Sequence, residues 1–171
     1  MRIMICIPIT SASGKKALRD IKRSCQIADC IELRMDLIGR VNLAELIRFI
    51  RSTSGKNKII VTCRKKEEAA PSVKSAVRTR GIVRNRKEKM ALLKEAVELN
   101  VDFVDIELAE GSRAIRELKS LCAEKGGRTH VIVSYHNLEC TPSLTELKKI
   151  FQQCARYMPA VVKIVTTAKT V

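Results

Sequence analysis

Short apolar segments recur along the chain, separated by stretches in which apolar residues follow a helical spacing. Six of these segments are rich in isoleucine and valine: Ile3–Ile9, Cys30–Met35, Lys58–Cys63, Phe103–Leu108, His130–Tyr135 and Ala160–Val165. Each is more continuous than alternating, which is typical of strands buried on both faces of a parallel sheet. The pattern therefore predicts six parallel strands.

Apolar residues three and four positions apart predict helices between these strands. Asn42 and Glu45 match a capping box at the start of the second helix, and Gly126 closes the fourth helix. Thr141-Pro142 is predicted to start the fifth, because proline fits the first helical turn. The apolar stripes are Leu18, Ile21, Cys25 and Ala28; Leu46, Ile47 and Ile50; Met90, Leu93, Ala96 and Val97; Ile115, Leu118, Leu121 and Cys122; and Leu147, Ile150, Phe151 and Cys154.

Alternating strands and helices indicate an α/β fold with right-handed crossovers, in one domain over residues 1–171. A doubly wound nucleotide binder would have a glycine-rich turn, yet the chain has no GxGxxG, and Gly55-Lys56 lacks the leading glycine of a P-loop. A (β/α)₈ barrel instead carries its chemistry at the carboxyl ends of its strands, where polar residues fall here. We therefore expect a barrel-type fold, with most of the segment 64–88 forming a long loop.

Composition narrows the class of protein further. The chain is 46% hydrophobic and 30% charged, which is a globular composition, and no apolar stretch is long enough to predict a membrane span. The net charge of +15 tolerates anionic partners, but 3% aromatic residues offer few rings for stacking on nucleic acid bases. The seven cysteines form no CxxC pair, so we expect reduced thiols and a cytoplasmic protein.

The second and third predicted strands end in charged residues. Glu32, Arg34 and Asp36 share a face by the two-residue period of a strand. They fit either an ion pair that closes the barrel end, or an arginine held by a glutamate and aimed at a substrate oxygen. Arg64 ends the third strand, and Glu68 follows in a segment that equally fits a solvated loop.

The fourth, fifth and sixth strands add two carboxylates, a histidine and a lysine. Asp105 and Glu107 either orient a base or serve as rim charges. His136 ends the fifth strand and is a natural acid–base group near neutral pH, whereas His130 begins that strand and is interpreted as structural. Lys163 lies in an apolar strand, where burial favours a neutral amine able to form a Schiff base; the alternative is an edge lysine in solvent.

A lysine and a histidine at adjacent strand ends, with arginine nearby, suggest imine chemistry on an anionic carbonyl compound. The residues alone do not choose between an aldolase and a dehydratase. No third metal ligand accompanies the two histidines at a diagnostic spacing.

Five motifs in order, spread over nearly the whole chain, resemble the type I 3-dehydroquinate dehydratases, the Schiff-base class of the shikimate pathway. They are Glu32-Leu-Arg34-Met-Asp36, Thr62-Cys-Arg64 with Glu68 four residues on, Asp105-Ile-Glu107-Leu, Ser134-Tyr-His136-Asn137 and Val162-Lys163-Ile164. The resemblance implies a (β/α)₈ barrel that removes water from 3-dehydroquinate to give 3-dehydroshikimate, with no metal or external cofactor, in a cytoplasmic homodimer.

The resemblance also implies a role for each site residue. Lys163 would form the imine with the substrate ketone, and His136 would assist imine formation and hydrolysis and shuttle protons. Glu68 would position His136 or balance its proton. The substrate's hydroxyls and carboxylate would be held by Glu32, Arg34 and Arg64.

Two departures from the family pattern stand out. The family usually has Glu-Gly-Gly after the third strand, whereas this chain has Glu68-Ala69-Ala70, which restricts the backbone there and makes Glu67 an alternative to Glu68. The chain has 171 residues, against roughly 250 for a complete barrel. We therefore expect an incomplete barrel of about six βα units, most simply a fragment, with slower turnover than a complete enzyme.

Three other functions fit parts of the sequence. One is another Schiff-base lyase of the aldolase type, which borohydride trapping with sugar phosphates would reveal. A second is an inactive or partial barrel relative. A third is a nucleic-acid binder that uses the basic segment 74–89, although a solvated surface explains that segment better and no nucleic-acid partner is expected.

Overall fold

A computed structural model of the chain describes residues 3–39, 41–64 and 85–168. Six strands alternate with helices in these residues, as the apolar pattern predicts. The elements in chain order are β1 (Cys6–Ile9), α1 (Gly14–Ser24), β2 (Cys30–Arg34), α2 (Leu43–Thr53), β3 (Lys58–Thr62), α3 (Arg86–Glu98), β4 (Phe103–Glu107), a 3₁₀ turn (Leu108–Glu110), α4 (Gly111–Glu124), β5 (His130–Asn137), α5 (Leu144–Ala155) and β6 (Val161–Thr166).

The strands form one parallel sheet in which spatial order follows sequence order, from β1 to β6. A doubly wound fold reverses its strand order partway through the sheet, and this sheet does not. Lys163 on β6 also reaches Glu32 on β2, with 3.3 Å between the Lys163 Nζ and a Glu32 carboxylate oxygen. In a flat sheet these strands would lie about 19 Å apart, so the sheet curls as a barrel wall does. The barrel-type α/β fold is thus confirmed.

The two faces of this curled sheet differ in chemistry. Alternate residues such as Ile31, Leu33, Val61, Val104 and Ile106 are completely buried and pack with the apolar sides of the helices in one core cluster. The residues between them face the other side, and toward the strand ends they are polar. The sequence suggested strands that are apolar on both faces. The structure shows apolar residues against the helices and a charged inner face, because the period of two separates them.

Helix ends follow local side-chain chemistry, with one correction. Asn42 caps α2 by accepting a hydrogen bond from the Glu45 backbone N–H, which is one of the two bonds of the predicted capping box. The fifth helix does not begin at Thr141-Pro142. It begins at Leu144, because Ser143 and Glu146 form a full capping box that places the proline before the cap.

Two further sequence predictions concern the end of α4 and the segment before α3. Gly126 and Gly127 both adopt positive φ after α4, as a helix-closing glycine pair does. Part of the predicted loop 64–88 is helical, since α3 begins at Arg86 behind its own Asn85 capping box, while residues 65–84 lie outside the described part. In the described ranges no helix is long and apolar enough to cross a membrane.

The loops that follow β1 and β2 touch each other beside the carboxyl ends of the strands. A Cβ atom on Gly39 would lie 2.7 Å from the backbone carbonyl oxygen of Ala12. Real Cβ atoms do not approach an oxygen so closely, so only glycine allows the two loops to meet in this way.

We expect Gly39→Ala to destabilise the chain by about 1–3 kcal/mol, the usual cost of overpacking, and to lower the midpoint of thermal unfolding measured by circular dichroism. Gly55→Ala is the matched control, because a Cβ there meets nothing within 4 Å. Equal melting temperatures for the two variants would contradict the close contact.

Candidate functional site

The carboxyl ends of the strands bring the predicted chemistry to the inner face of the sheet. Ser134 on β5 lies directly opposite Lys163 on β6 and opposite Glu107 on β4. Asp105 on β4 lies opposite Thr62 on β3. Because successive residues of a strand alternate in direction, His136 shares the face of Ser134. The sheet register therefore assembles one site from the later strands.

Lys163 lies between two carboxylates at this site. Its Nζ is 3.3 Å from Glu32 Oε1 and 3.3 Å from Asp105 Oδ2. The lysine side chain keeps 33% of its surface exposed, whereas the Asp105 side chain is fully buried. Lys163 is thus neither deeply buried nor an edge lysine that points freely into solvent. Its amino group is paired with two carboxylates and remains open to solvent and small molecules.

Arg64 occupies the centre of the cluster and is 3% exposed. Its Nη1 donates to Glu107 Oε1 at 2.5 Å and to Ser134 Oγ at 2.8 Å, and its Nη2 donates to Asp105 Oδ2 at 2.6 Å. Such a buried, multiply bonded guanidinium holds carboxylates in place. The direct substrate contact expected of Arg64 is not the role that this geometry favours.

Asp105 is ionised despite its complete burial. Burial on its own raises the pKa of a carboxyl group, but the positive charges of Arg64 and Lys163 and the hydrogen bonds from Ser134 and Arg64 act in the opposite direction. Together they hold the pKa of Asp105 below its usual value. Asp105 is therefore a fixed negative charge beside Lys163 rather than a proton carrier.

His136 is neutral at physiological pH. Burial lowers its pKa to about 4, and Arg64 adds to the effect while Asp105 opposes it. Its Nδ1 is buried and has no hydrogen-bond partner among the described residues. A neutral imidazole can accept a proton, so His136 is suited to be a base near the amine of Lys163.

The charged residues at the end of β2 pair differently from the arrangement that the sequence suggested. Arg34 donates to Asp36 in two hydrogen bonds of 2.9 Å and 2.6 Å, so Asp36 holds this arginine in place of Glu32. Glu32 instead accepts a hydrogen bond of 2.7 Å from the Thr62 hydroxyl. The Arg34–Asp36 pair agrees with the first of the two interpretations, an ion pair at the strand end, whereas the arginine held by a glutamate in the second is not observed.

The sequence interpretation missed Lys89. It lies on α3, is 1% exposed and forms ion pairs with Glu107 and Glu110, and Arg86 contacts Glu110 from the same helix. The basic segment 74–89 thus ends in a buried residue and a paired one, which weakens its interpretation as a nucleic-acid surface. Lys89 directly precedes Met90, the first residue of the apolar stripe of α3, and this position was the sequence signal that its side chain could be buried.

The glutamate that the sequence predicts beside His136, Glu68 or alternatively Glu67, lies outside the described residues. In the part of the chain that is described, no cluster of three or more histidine, cysteine, aspartate or glutamate side chains is placed to hold a metal ion.

Comparison with solved structures places this sheet among the parallel β/α barrels. The 3-dehydroquinate dehydratase of Geobacillus kaustophilus superposes with a TM-score of 0.83 at 24% identity, over 99% of this chain and 64% of that one. The 3-dehydroquinate dehydratase of Aquifex aeolicus superposes with a TM-score of 0.75 at 27% identity, over 98% of this chain and 68% of that one.

Sequence comparison identifies the family. The family model for type I 3-dehydroquinase matches residues 5–171, and the chain belongs to this family. The 3-dehydroquinate dehydratase of Methanocaldococcus jannaschii is 33% identical over 150 residues, and the match covers 88% of this chain. The same match covers 60% of that curated relative, so the chain spans well under two thirds of its length.

The low pKa of His136 can be checked directly, because the chain has two histidines. We expect an NMR-monitored pH titration to show one imidazole signal with a midpoint near pH 4. Its absence from the spectrum of His136→Gln would assign it to His136. The unfolded chain takes up this proton near the ordinary histidine value of 6.5, so between those values the unfolded state binds more protons. Folding stability should therefore fall as the pH drops below about 6.5.

His130 is exposed and supplies the second signal in the same spectra, so it serves as the internal comparison. A midpoint for His136 near 6.5 would show that its imidazole is not buried and neutral as described.

Proposed function

We propose that the chain acts on 3-dehydroquinate and dehydrates it to 3-dehydroshikimate through a Schiff base on Lys163. Membership of the type I 3-dehydroquinase family supports the reaction class. The observation that carries the assignment to Lys163 is its position: a reachable amino group among fixed carboxylates, on the same sheet face as the neutral imidazole of His136.

The chemistry begins with loss of a proton from Lys163. The free amine attacks the ketone carbon of the substrate, and loss of water from the resulting carbinolamine gives an iminium ion. This cation withdraws electrons and so acidifies the neighbouring C–H bond. A base removes that proton, the electron pair forms the new C=C bond, and the hydroxyl group β to the iminium leaves with a proton as water. Hydrolysis then returns the amine.

His136 is the base and acid that we assign to these proton transfers. Because its pKa is about 4, the imidazole is unprotonated at neutral pH and can accept a proton without first losing one. Once protonated, it is a strong acid and readily returns the proton to a leaving hydroxyl group. In this proposal Glu68, which lies outside the described residues, positions His136 as the family resemblance implies.

Substrate binding is assigned to Glu32 and Arg34, which lie at the end of β2. The Arg34 side chain keeps 19% of its surface exposed beside Asp36, so it can add a bond to a substrate oxygen. Arg64 acts indirectly in this proposal, since it fixes Asp105, which in turn faces Lys163. A homodimer, a cytoplasmic location and a single domain over 1–171 complete the proposal and rest on the sequence expectations alone.

Borohydride trapping tests the role of Lys163. When the chain is incubated with 3-dehydroquinate and sodium borohydride, we expect the substrate to become covalently attached to the peptide that contains Lys163, as read by mass spectrometry. Lys163→Met should abolish the adduct, because the thioether cannot form an imine. Lys22→Met removes an exposed lysine on α1 and should leave trapping unchanged.

Two further arms separate the proposal from its alternatives. Trapping with sugar phosphates but not with 3-dehydroquinate would indicate an aldolase-type lyase. Adduct formation at a different lysine, or none with either compound, would refute the assignment of Lys163. Turnover is measured from the absorbance of the dehydroshikimate that forms.

A further inference from the structure

Lys89 is a buried charged side chain that the proposed reaction does not use directly. It is 1% exposed and is the largest fully buried side chain among the described residues. A buried ammonium group is costly unless it is paired. Its amino group is bonded to Glu107 Oε2 and, at 2.9 Å, to Glu110 Oε1. The pairing removes most of that cost, and it also connects α3 to the site.

Glu107 links Lys89 to Arg64. Its Oε1 accepts from Arg64 Nη1 at 2.5 Å, while its Oε2 is bonded to Lys89. Arg64 then reaches Asp105 Oδ2 at 2.6 Å, and the same oxygen lies 3.3 Å from Lys163 Nζ. These contacts form an ion-pair network in which positive and negative groups alternate from Lys89 on α3 to the amino group of Lys163.

Among the described residues, this ion-pair network contains four cations and four carboxylates, with Arg86 and Glu32 at its two ends. In order, the groups are Arg86, Glu110, Lys89, Glu107, Arg64, Asp105, Lys163 and Glu32. Removing Lys89 would take a positive charge away from Glu107 in a region with little water to screen the change.

We infer that Lys89 is a positioning residue for the imine chemistry: its buried charge keeps Glu107 from drawing Arg64 away from Asp105 and so sets the proton affinity of the Lys163 amine. This inference rests on the proposed function only in assigning imine formation to Lys163. Among the described residues, Lys89 is bonded to Glu107 and Glu110, and the proposed function assigns neither of them to contact with the substrate.

The inference predicts the direction of change when the cation is lost. Without Lys89, Arg64 is the remaining ion-pair partner of Glu107 among the described residues. Glu107 then attracts Arg64 more strongly, and Arg64 shields the charge of Asp105 less. Asp105 then holds the Lys163 ammonium more strongly, and a higher pH is needed to free the amine. The charged or titratable groups around Lys163 come from the other five strands or their ends: Cys6, Glu32, Arg64, Asp105 and His136.

The test measures the reactivity of Lys163 without any substrate. The intact chain is labelled briefly with acetic anhydride at a series of pH values, and mass spectrometry follows the peptide that contains Lys163. For Lys89→Met we expect the labelling midpoint to rise by roughly one pH unit, which is about a tenfold loss of reactive amine at a fixed pH. The NMR midpoint of His136 should rise as well, since the field at the site becomes more negative.

Two variants separate this effect from a general loss of structure. Lys89→Met combined with Glu107→Gln removes one charge of each sign, and the amide oxygen can still accept from Arg64, so the midpoint should return toward that of the wild type. Lys94→Met is the matched control, because Lys94 lies on the same helix but pairs with the exposed Glu117, and such surface pairs contribute little.

The outcomes are distinct from those of the trapping experiment. An unchanged midpoint in a folded Lys89→Met variant would overturn the inference even if the wild type traps 3-dehydroquinate. A shifted midpoint that the Glu107→Gln change does not reverse would also overturn it, since the effect would not depend on charge. If the wild type traps nothing, the proposed function fails, while the labelling midpoints still decide the role of Lys89.

Discussion

The structure depends on pairing charges within a curled sheet. Each strand is largely apolar on the side that packs against the helices, so the charged groups of the site are gathered on the inner side of the sheet. Ions that cannot reach water must find partners there. The contact between Lys163 on β6 and Glu32 on β2 satisfies that need across the sheet, and it is possible only because the sheet bends. Curvature and charge pairing are therefore coupled in this molecule.

The same pairing gives the site residues different degrees of freedom and therefore different roles. The fully buried groups, Asp105 and Arg64, are bonded on several sides and have little freedom to move or to exchange protons. Lys163 is partly exposed, and His136 has a buried nitrogen without a hydrogen-bond partner among the described residues. The rigid groups determine the electric field at the site, and Lys163 and His136 are the groups with enough freedom to react. The proposed Schiff-base chemistry needs both kinds.

The sequence predicted the strands well and the contacts poorly, for physical reasons. Strand positions follow from local hydrophobicity, so five of the six strands begin within a residue of their predicted start; β1 begins at Cys6 because only four of its residues pair with β2. The motif residues also fall at the predicted strand ends. The choice of Asp36 over Glu32 as the partner of Arg34 depends on the turn that follows β2, which a two-residue period does not describe. Lys89 lies on the helix that directly precedes β4, and the helical pattern does not show that its side chain turns towards the sheet, so only the packing of that helix brings its charge to Glu107.

The strand order has a consequence for how the chain acquires its structure. Each pairing in the sheet joins strands that are consecutive in the sequence, so no strand waits for a partner from a distant part of the chain. Loop closure between neighbouring strands therefore costs less conformational entropy than pairing strands from the two ends of the sequence would. Each new strand and helix can add to a wall that already exists, much as repeats add to a solenoid. The long-range ion pairs at the inner face can then form last, when the growing wall has bent far enough to bring its two sides together.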